Sequence, residues 1–169
     1  MDCNLWWWNT TKSVLPRPLG GDRKLQFFDP GRTATVLCAL LPPPYDTAIL
    51  ASAGHPPPML VPPHGAGSYV QVPVSPPLGV TEIEPTPVTI GVAPGSLLLA
   101  YTDGLIERRH ESLDVGFERL AAAVSADEPE IVCRRVMDRL VGHDKPGDDI
   151  VVIALRRTPS GPRGSERVS

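Results

Sequence analysis

Charge of one sign is what this sequence has least of to spare. Sixteen lysines and arginines stand against nineteen aspartates and glutamates, a net charge of -3, and the two signs are interspersed along the chain. No basic stripe marks a phosphate-backbone footprint, so nucleic acid is not an expected partner. Cysteine is also sparse. Cys3, Cys38 and Cys133 are odd in number and widely separated, with no CxxC pair, which argues against both a disulfide framework and a thiolate zinc site. Cys38 and Cys133 sit in apolar runs and read as small buried hydrophobes in a reducing compartment. No apolar run approaches the roughly 20 residues that cross a bilayer. The start, MDCNLWWWNTTK, lacks a cationic n-region, a long apolar core and a small-residue cleavage site. It reads as neither signal nor anchor. The expected location is cytoplasmic, with peripheral attachment through Trp6, Trp7 and Trp8 left open.

What is present suits one globular domain with a modest core, at 41% hydrophobic and 21% charged residues. The twenty-one prolines fall largely in clusters, such as Pro42 to Pro44, Pro56 to Pro58 and Pro76 with Pro77, between apolar segments that they punctuate. Short strands are predicted over Thr33–Leu41, Thr47–Ala53, Met59–Val61, Tyr69–Val72, Val88–Val92 and Ser96–Thr102, forming a β-meander. After Gly104 the period changes. Phe117, Leu120, Ala121 and Val124 share one face of a helix. A second helix is predicted with Asp127 as N-cap, Pro129 in its first turn, Ile131, Val132, Val136 and Leu140 on its apolar face, and Gly142 as its stop. The loop His143–Gly147 leads to a last strand, Ile150–Leu155, whose unbroken apolar run predicts burial on both faces. Residues 1–28 show no core-like pattern, and residues 158–169 close a polar, Gly-, Pro-, Ser- and Arg-rich stretch that reads as a disordered tail.

Two acidic positions stand out by setting. Asp103, in YTDGLIE, ends an apolar strand, and Asp148, in PGDDIVVIAL, precedes another. Strand ends can project carboxylates into a cleft while the sheet holds their backbone, and two such groups brought together make the hard oxygen site that Mg²⁺ or Mn²⁺ prefers. On spacing alone the ordinary alternative is favoured. Asp-Gly after a strand is a common turn, and Asp148-Asp149 is a common loop entry.

Taken in order, GRTATVLCALL, ASAGHPPPMLV, PPLGV, APGSLLLAYTDGLIERR, two helical stretches and GDDIVVIALR resemble the SpoIIE/RsbU-like branch of the PPM phosphatases, bacterial relatives of type-2C protein phosphatases. The resemblance runs from about Asp29 to Arg157, with AGHPPP and YTDGLIE its most specific segments. It implies an α+β fold, part of a PPM-type αββα sandwich: antiparallel strands, two helices and a final buried strand over residues 29–157. It also implies hydrolysis of phosphoserine or phosphothreonine through a water activated by two Mg or Mn ions. Matched residue by residue, Asp103 and Asp148 correspond to family metal ligands, and Gly104 and Asp149 to supporting positions. Glu107 either buttresses the site or faces water. His55 could serve as a general acid, but Gly54-His55-Pro56 reads better as a turn in which His55 fills a hydrogen-bonding niche. Leu78-Gly79 reads as a further turn. His64, His110 and His143 lack ligand spacing. Arg108 and Arg109 could attract an anionic phosphoprotein or simply be solvated.

One family element has no counterpart here. Upstream of the position of Thr33, the family carries an Asp-x-x-Gly-His-Gly motif whose aspartate bridges both metals; Gly20-Gly21-Asp22 is followed by RKLQFF, which does not continue that pattern. Without a bridging carboxylate, Asp103 and Asp148 would be two like charges with weakened metal binding. Uncovered sheet edges and faces would favour self-association, or be covered by Trp6 to Trp8. The expected function is therefore a metal-dependent phosphoprotein phosphatase acting on an anti-anti-sigma-type regulator. The alternative is a catalytically inactive module that binds a regulatory partner, and a third reading has the missing strands supplied by another chain.

Overall fold

In the computed structural model, residues 31–80, 85–142 and 147–158 are described. The expectations for residues 1–28, for Trp6 to Trp8, for the tail after Thr158 and for most of the loop His143–Gly147 lie outside the described residues.

Strands form where β-branched and aliphatic residues run between proline and glycine punctuation: β1 (Val36–Leu40), β2 (Thr47–Ala53), β3 (Met59–Val61), β4 (Ser68–Tyr69), β5 (Val88–Gly91), β6 (Leu97–Tyr101) and β7 (Val152–Arg156). β2 and β3 occupy the predicted spans. β1 is shorter at its start, because Ala34 leaves the ladder to exchange two backbone hydrogen bonds with Leu78, at 3.1 and 2.9 Å. β4 ends at Tyr69, since the Val70 N–H turns to the Pro58 carbonyl, 2.8 Å away.

The meander expectation is corrected by the pairing. The described strands make two antiparallel sheets, ordered β1-β2-β5 and β4-β3-β6-β7, so the chain changes sheet between β2 and β3, between β4 and β5 and again between β5 and β6. Proline supplies the reason. Pro56, Pro57 and Pro58 bring no N–H to continue a ladder after β2, and the chain crosses over instead.

Helices α1 (Leu113–Ala123) and α2 (Pro129–Leu140) lie against one face of the four-stranded sheet. Met59 and Val61 of β3 and Leu97, Leu99 and Tyr101 of β6 alternate onto that face, and they pack with Leu120 of α1 and Val132, Val136 and Leu140 of α2. Tyr69 locks α1 down, its hydroxyl donating to the Phe117 carbonyl at 2.6 Å while the two rings meet edge-on, centroids 5.0 Å apart. Burial pushes the Tyr69 phenol up to about 12. On the opposite face, Leu60 and Leu98 meet Leu50, Val88 and Ile90 of the three-stranded sheet.

Three local expectations change. The N-cap of α2 is Glu128, with Pro129 at the helix start; Asp127 instead accepts hydrogen bonds from Arg135 Nη2 (2.6 Å) and Ser125 Oγ (2.8 Å), stronger partners than a cap N–H. Ile131 is exposed, because the buried stripe of α2 runs through Val132, Val136 and Leu140, one residue on. β7 forms where predicted but is not buried on both faces: Val152 and Ala154 pack toward the helices, whereas Ile153 and Leu155 are 52% and 47% exposed. It ends its sheet, beyond the cover that β2 and β5 give to Leu60 and Leu98. Gly142 takes φ of +59° after the last turn of α2, as a stop residue requires. Among the described residues no helix is long and apolar enough to cross a membrane.

Candidate active site

The register of the β6–β7 pair sets Tyr101 opposite Val152, so the turn leaving β6 and the turn entering β7 come side by side. Thr102 stitches them. Its N–H donates to the Val151 carbonyl (3.0 Å), its Oγ1 accepts the Val151 N–H (2.9 Å), and its hydroxyl donates to the Asp149 carbonyl (3.0 Å). Glycine is required at the next junction but one. A Cβ on Gly104 would lie 2.7 Å from the Asp149 carbonyl oxygen and 3.2 Å from the Asp148 carbonyl carbon, so any larger residue would push the two turns apart.

These contacts bring Asp103 and Asp148 to one rim. Asp103 opens a single 3-10 turn, Asp103–Leu105, and its carbonyl accepts the N–H groups of Ile106 (2.9 Å) and Glu107 (2.8 Å). Each carboxylate is exposed and uses Oδ1 to accept the next backbone N–H, from Gly104 at 2.9 Å and from Asp149 at 2.7 Å. Such Asx-type bonds fix the direction of the carboxyl group. Asp149 joins the two turns through its backbone, its N–H donating to Asp148 Oδ1 and its carbonyl accepting from the Thr102 hydroxyl. Beside the rim opens a cavity of about 610 Å³, lined by Gly104, Leu105, Glu107, Arg108, Arg109, Leu140 and Asp148 among others. Glu107 therefore faces the cavity and not only bulk water.

Two hard oxygen donors suit Mg²⁺ or Mn²⁺ by type. Among the described residues, however, no group of three or more His, Cys, Asp or Glu side chains is placed to hold a metal ion. Two carboxylates alone do not complete a coordination shell. His55 is apart from it: the ring Nδ1 lies 3.0 Å from the Pro56 carbonyl and the residue's own carbonyl accepts Ser52 Oγ at 3.0 Å, the turn niche that its neighbours suggest. His64 and His110 are exposed in loops, and His143 lies outside the described residues. Arg108 turns its guanidinium to the Leu140 carbonyl at the end of α2. Thr102 was not legible as a site residue; the only signal is a β-branched hydroxyl residue set directly before Asp-Gly at a strand end.

The sequence profile described as Stage II sporulation protein E (SpoIIE) matches residues 20–158. The chain belongs to the SpoIIE family. Among solved structures, this SpoIIE-family chain is similar to the RsbU and RsbW domains of Rv1364c from Mycobacterium tuberculosis, at 27% identity and a TM-score of 0.74, over 83% of this chain and 41% of that one. It is also similar to the phosphatase domain of the cell fate determinant SpoIIE from Bacillus subtilis, presoaked with Mn, at 20% identity and TM-score 0.59, over 76% of this chain and 58% of that one. The catalytic domain of the serine/threonine protein phosphatase PstP, solved with two manganese ions, matches at 18% identity and TM-score 0.57, over 79% of this chain and 64% of that one. The fold is that of the PPM, or PP2C-type, phosphatases. The chain spans less than two thirds of each of these structures.

Proposed function

We propose that residues 29–157 form the phosphatase segment of a metal-dependent protein serine/threonine phosphatase, with Asp103 and Asp148 as metal ligands. The observation that carries this reading is the stitched β6–β7 end, where Thr102 and Gly104 hold two exposed carboxylates on one rim beside a cavity. Preorganised backbone holds both carboxylates before any ligand arrives, which is what a metal site on rigid elements needs. When bound, Mg²⁺ or Mn²⁺ supplies an acidified water and neutralises charge on the phosphate. The chain's own part is then positional. Asp103 and Asp148 offer oxygens, Asp149 holds Asp148 through its N–H, and Glu107 lines the adjoining wall. The proposed substrate is a phosphoserine or phosphothreonine of an anti-anti-sigma-type regulator in the cytoplasm, a reading that the family match supports at the level of a phosphatase fold.

The test is Mn²⁺-dependent phosphate release from an aryl phosphate and from a phosphoserine protein, with calorimetric metal titration beside it. Asp103→Asn and Asp148→Asn should each weaken Mn²⁺ binding at least about tenfold and lower release in proportion. Equal metal affinity in wild type and both variants would sink the assignment of ligands. A second reading has its own support: among the described residues no three carboxylates are grouped to hold a metal ion, and the sequence has no Asp-x-x-Gly-His-Gly segment. Under it the chain is a phosphatase-like module that captures a regulatory partner without cleaving it, and capture would persist in the Asp103→Asn, Asp148→Asn double variant without metal.

A further inference from the structure

Two arginines adjacent in sequence are sent to different tasks by the fold. Both lie between the 3-10 turn and α1, on a segment held at its start by the Ile106 and Glu107 N–H groups on the Asp103 carbonyl and further on by the Glu111 N–H on the Arg108 carbonyl, 3.2 Å away. Its far side is fixed too. Gly116 of α1 packs so closely that a Cβ there would meet the Ile106 carbonyl oxygen at 2.2 Å. The segment therefore moves with Asp103. Arg108 is half-buried and donates to the Leu140 carbonyl at the C-terminal end of α2, where a cation is favoured. Arg109 is exposed and lines the cavity, and among the described residues no hydrogen bond or ion pair occupies its guanidinium.

Charge then decides what Arg109 can do. The cavity wall carries Glu107 and Asp148, and Asp103 stands next to Gly104 on the same rim. A phosphate monoester near neutral pH is an anion of charge approaching two, which these carboxylates repel. Arg108 and Arg109 both line the cavity and offset that repulsion by charge. Arg108, however, is turned to the Leu140 carbonyl, and among the described lining residues it is the uncommitted fork of Arg109 that can match two phosphate oxygens. We propose that Arg109 is a specificity-determining residue, which holds the phosphorylated serine or threonine of a protein substrate at the mouth of this cavity. The proposal rests on the phosphatase reading of the same site and adds the residue that recognises the anion.

The experiment uses the 169-residue chain and a fluorescent peptide carrying a non-hydrolysable phosphonate analogue of phosphoserine, with its unphosphorylated counterpart as control. Anisotropy is read in EDTA and in Mn²⁺. Arg109→Gln should weaken phosphonate-peptide binding about tenfold or more in both conditions, Arg109→Lys should restore part of the loss, and the control peptide should bind wild type and variants alike. Equal affinity of wild type and Arg109→Gln for the phosphonate peptide overturns the proposal, as does a wild type that does not distinguish the two peptides. Absence of Mn²⁺-dependent turnover alongside the Arg109→Gln binding loss rejects the phosphatase reading and keeps Arg109 as a reader of phosphopeptides. Turnover with KM unchanged in Arg109→Gln does the reverse.

Discussion

The two faces of the four-stranded sheet are drawn from the same aliphatic vocabulary and end in different states. On the helix side, Met59, Val61, Leu97 and Leu99 are fully buried beneath α1 and α2. On the other side, Leu60 and Leu98 find cover, but Ile153 and Leu155 of β7 stay half-exposed. Residue type does not make the difference; strand order does. β7 ends the sheet, so one alternation of its side chains reaches the helices and the other passes beyond the three-stranded sheet. The site sits at the end of the β6–β7 pair, held there by the contacts of Thr102 and Gly104.

The largest test of this contrast is a matched pair of truncations. Leu99→Ala should cost about 3 kcal/mol in urea unfolding, as expected for a filled core site, whereas Leu155→Ala should cost well under about 1 kcal/mol. Equal losses would break the comparison. Next in size is Gly104→Ala, whose Cβ has the Asp149 carbonyl 2.7 Å away; about 2 kcal/mol of destabilisation is expected, together with weaker Mn²⁺ binding by calorimetry. Thr102→Val should lose about 1 kcal/mol and speed hydrogen exchange at the Val151 amide, which would have lost its Oγ1 acceptor. Unchanged exchange there would mean that the strand pair, not the hydroxyl, joins the two turns.

The smallest effect concerns pH. Hydrogen bonds from Arg135 and then Ser125 hold the Asp127 carboxyl below its ordinary range. A depressed carboxylate contributes stability that is present above its unfolded pKa and is lost as pH falls through the folded one. Wild type and Asp127→Asn should therefore differ slightly in melting temperature at neutral pH and converge in strong acid, below the usual carboxylate range. A gap that persists there would assign the difference to something other than this ionisation.

Sequence reasoning reached the pieces better than their pairing. β2 and β3 matched their predicted spans because proline and glycine bound them on both sides, and α2 was legible from Pro129 and the Val132, Val136, Leu140 spacing. Which strand would lie beside which was not legible, since alternation tells a strand its two faces but not its neighbours. The same limit explains β7: VVIAL is equally apolar on both alternations, and its place at the end of a sheet leaves no local mark. At the candidate site, Asp103 and Asp148 were singled out through their motifs, whereas the contrast between Arg108 and Arg109 was invisible, because it is created by where α2 ends.

The stitch at Thr102 also divides the chain into a frame and an excursion. The described residues from Leu105 to Gly142, both helices included, leave from one side of the stitch, and the chain is back at its other side by Asp149. Lengthening or shortening that excursion far from the rim would alter what covers the sheet without re-aiming either carboxylate. The two acids thus behave as a single mounted part, and diversification of this scaffold can proceed in its cover while the mount stays still.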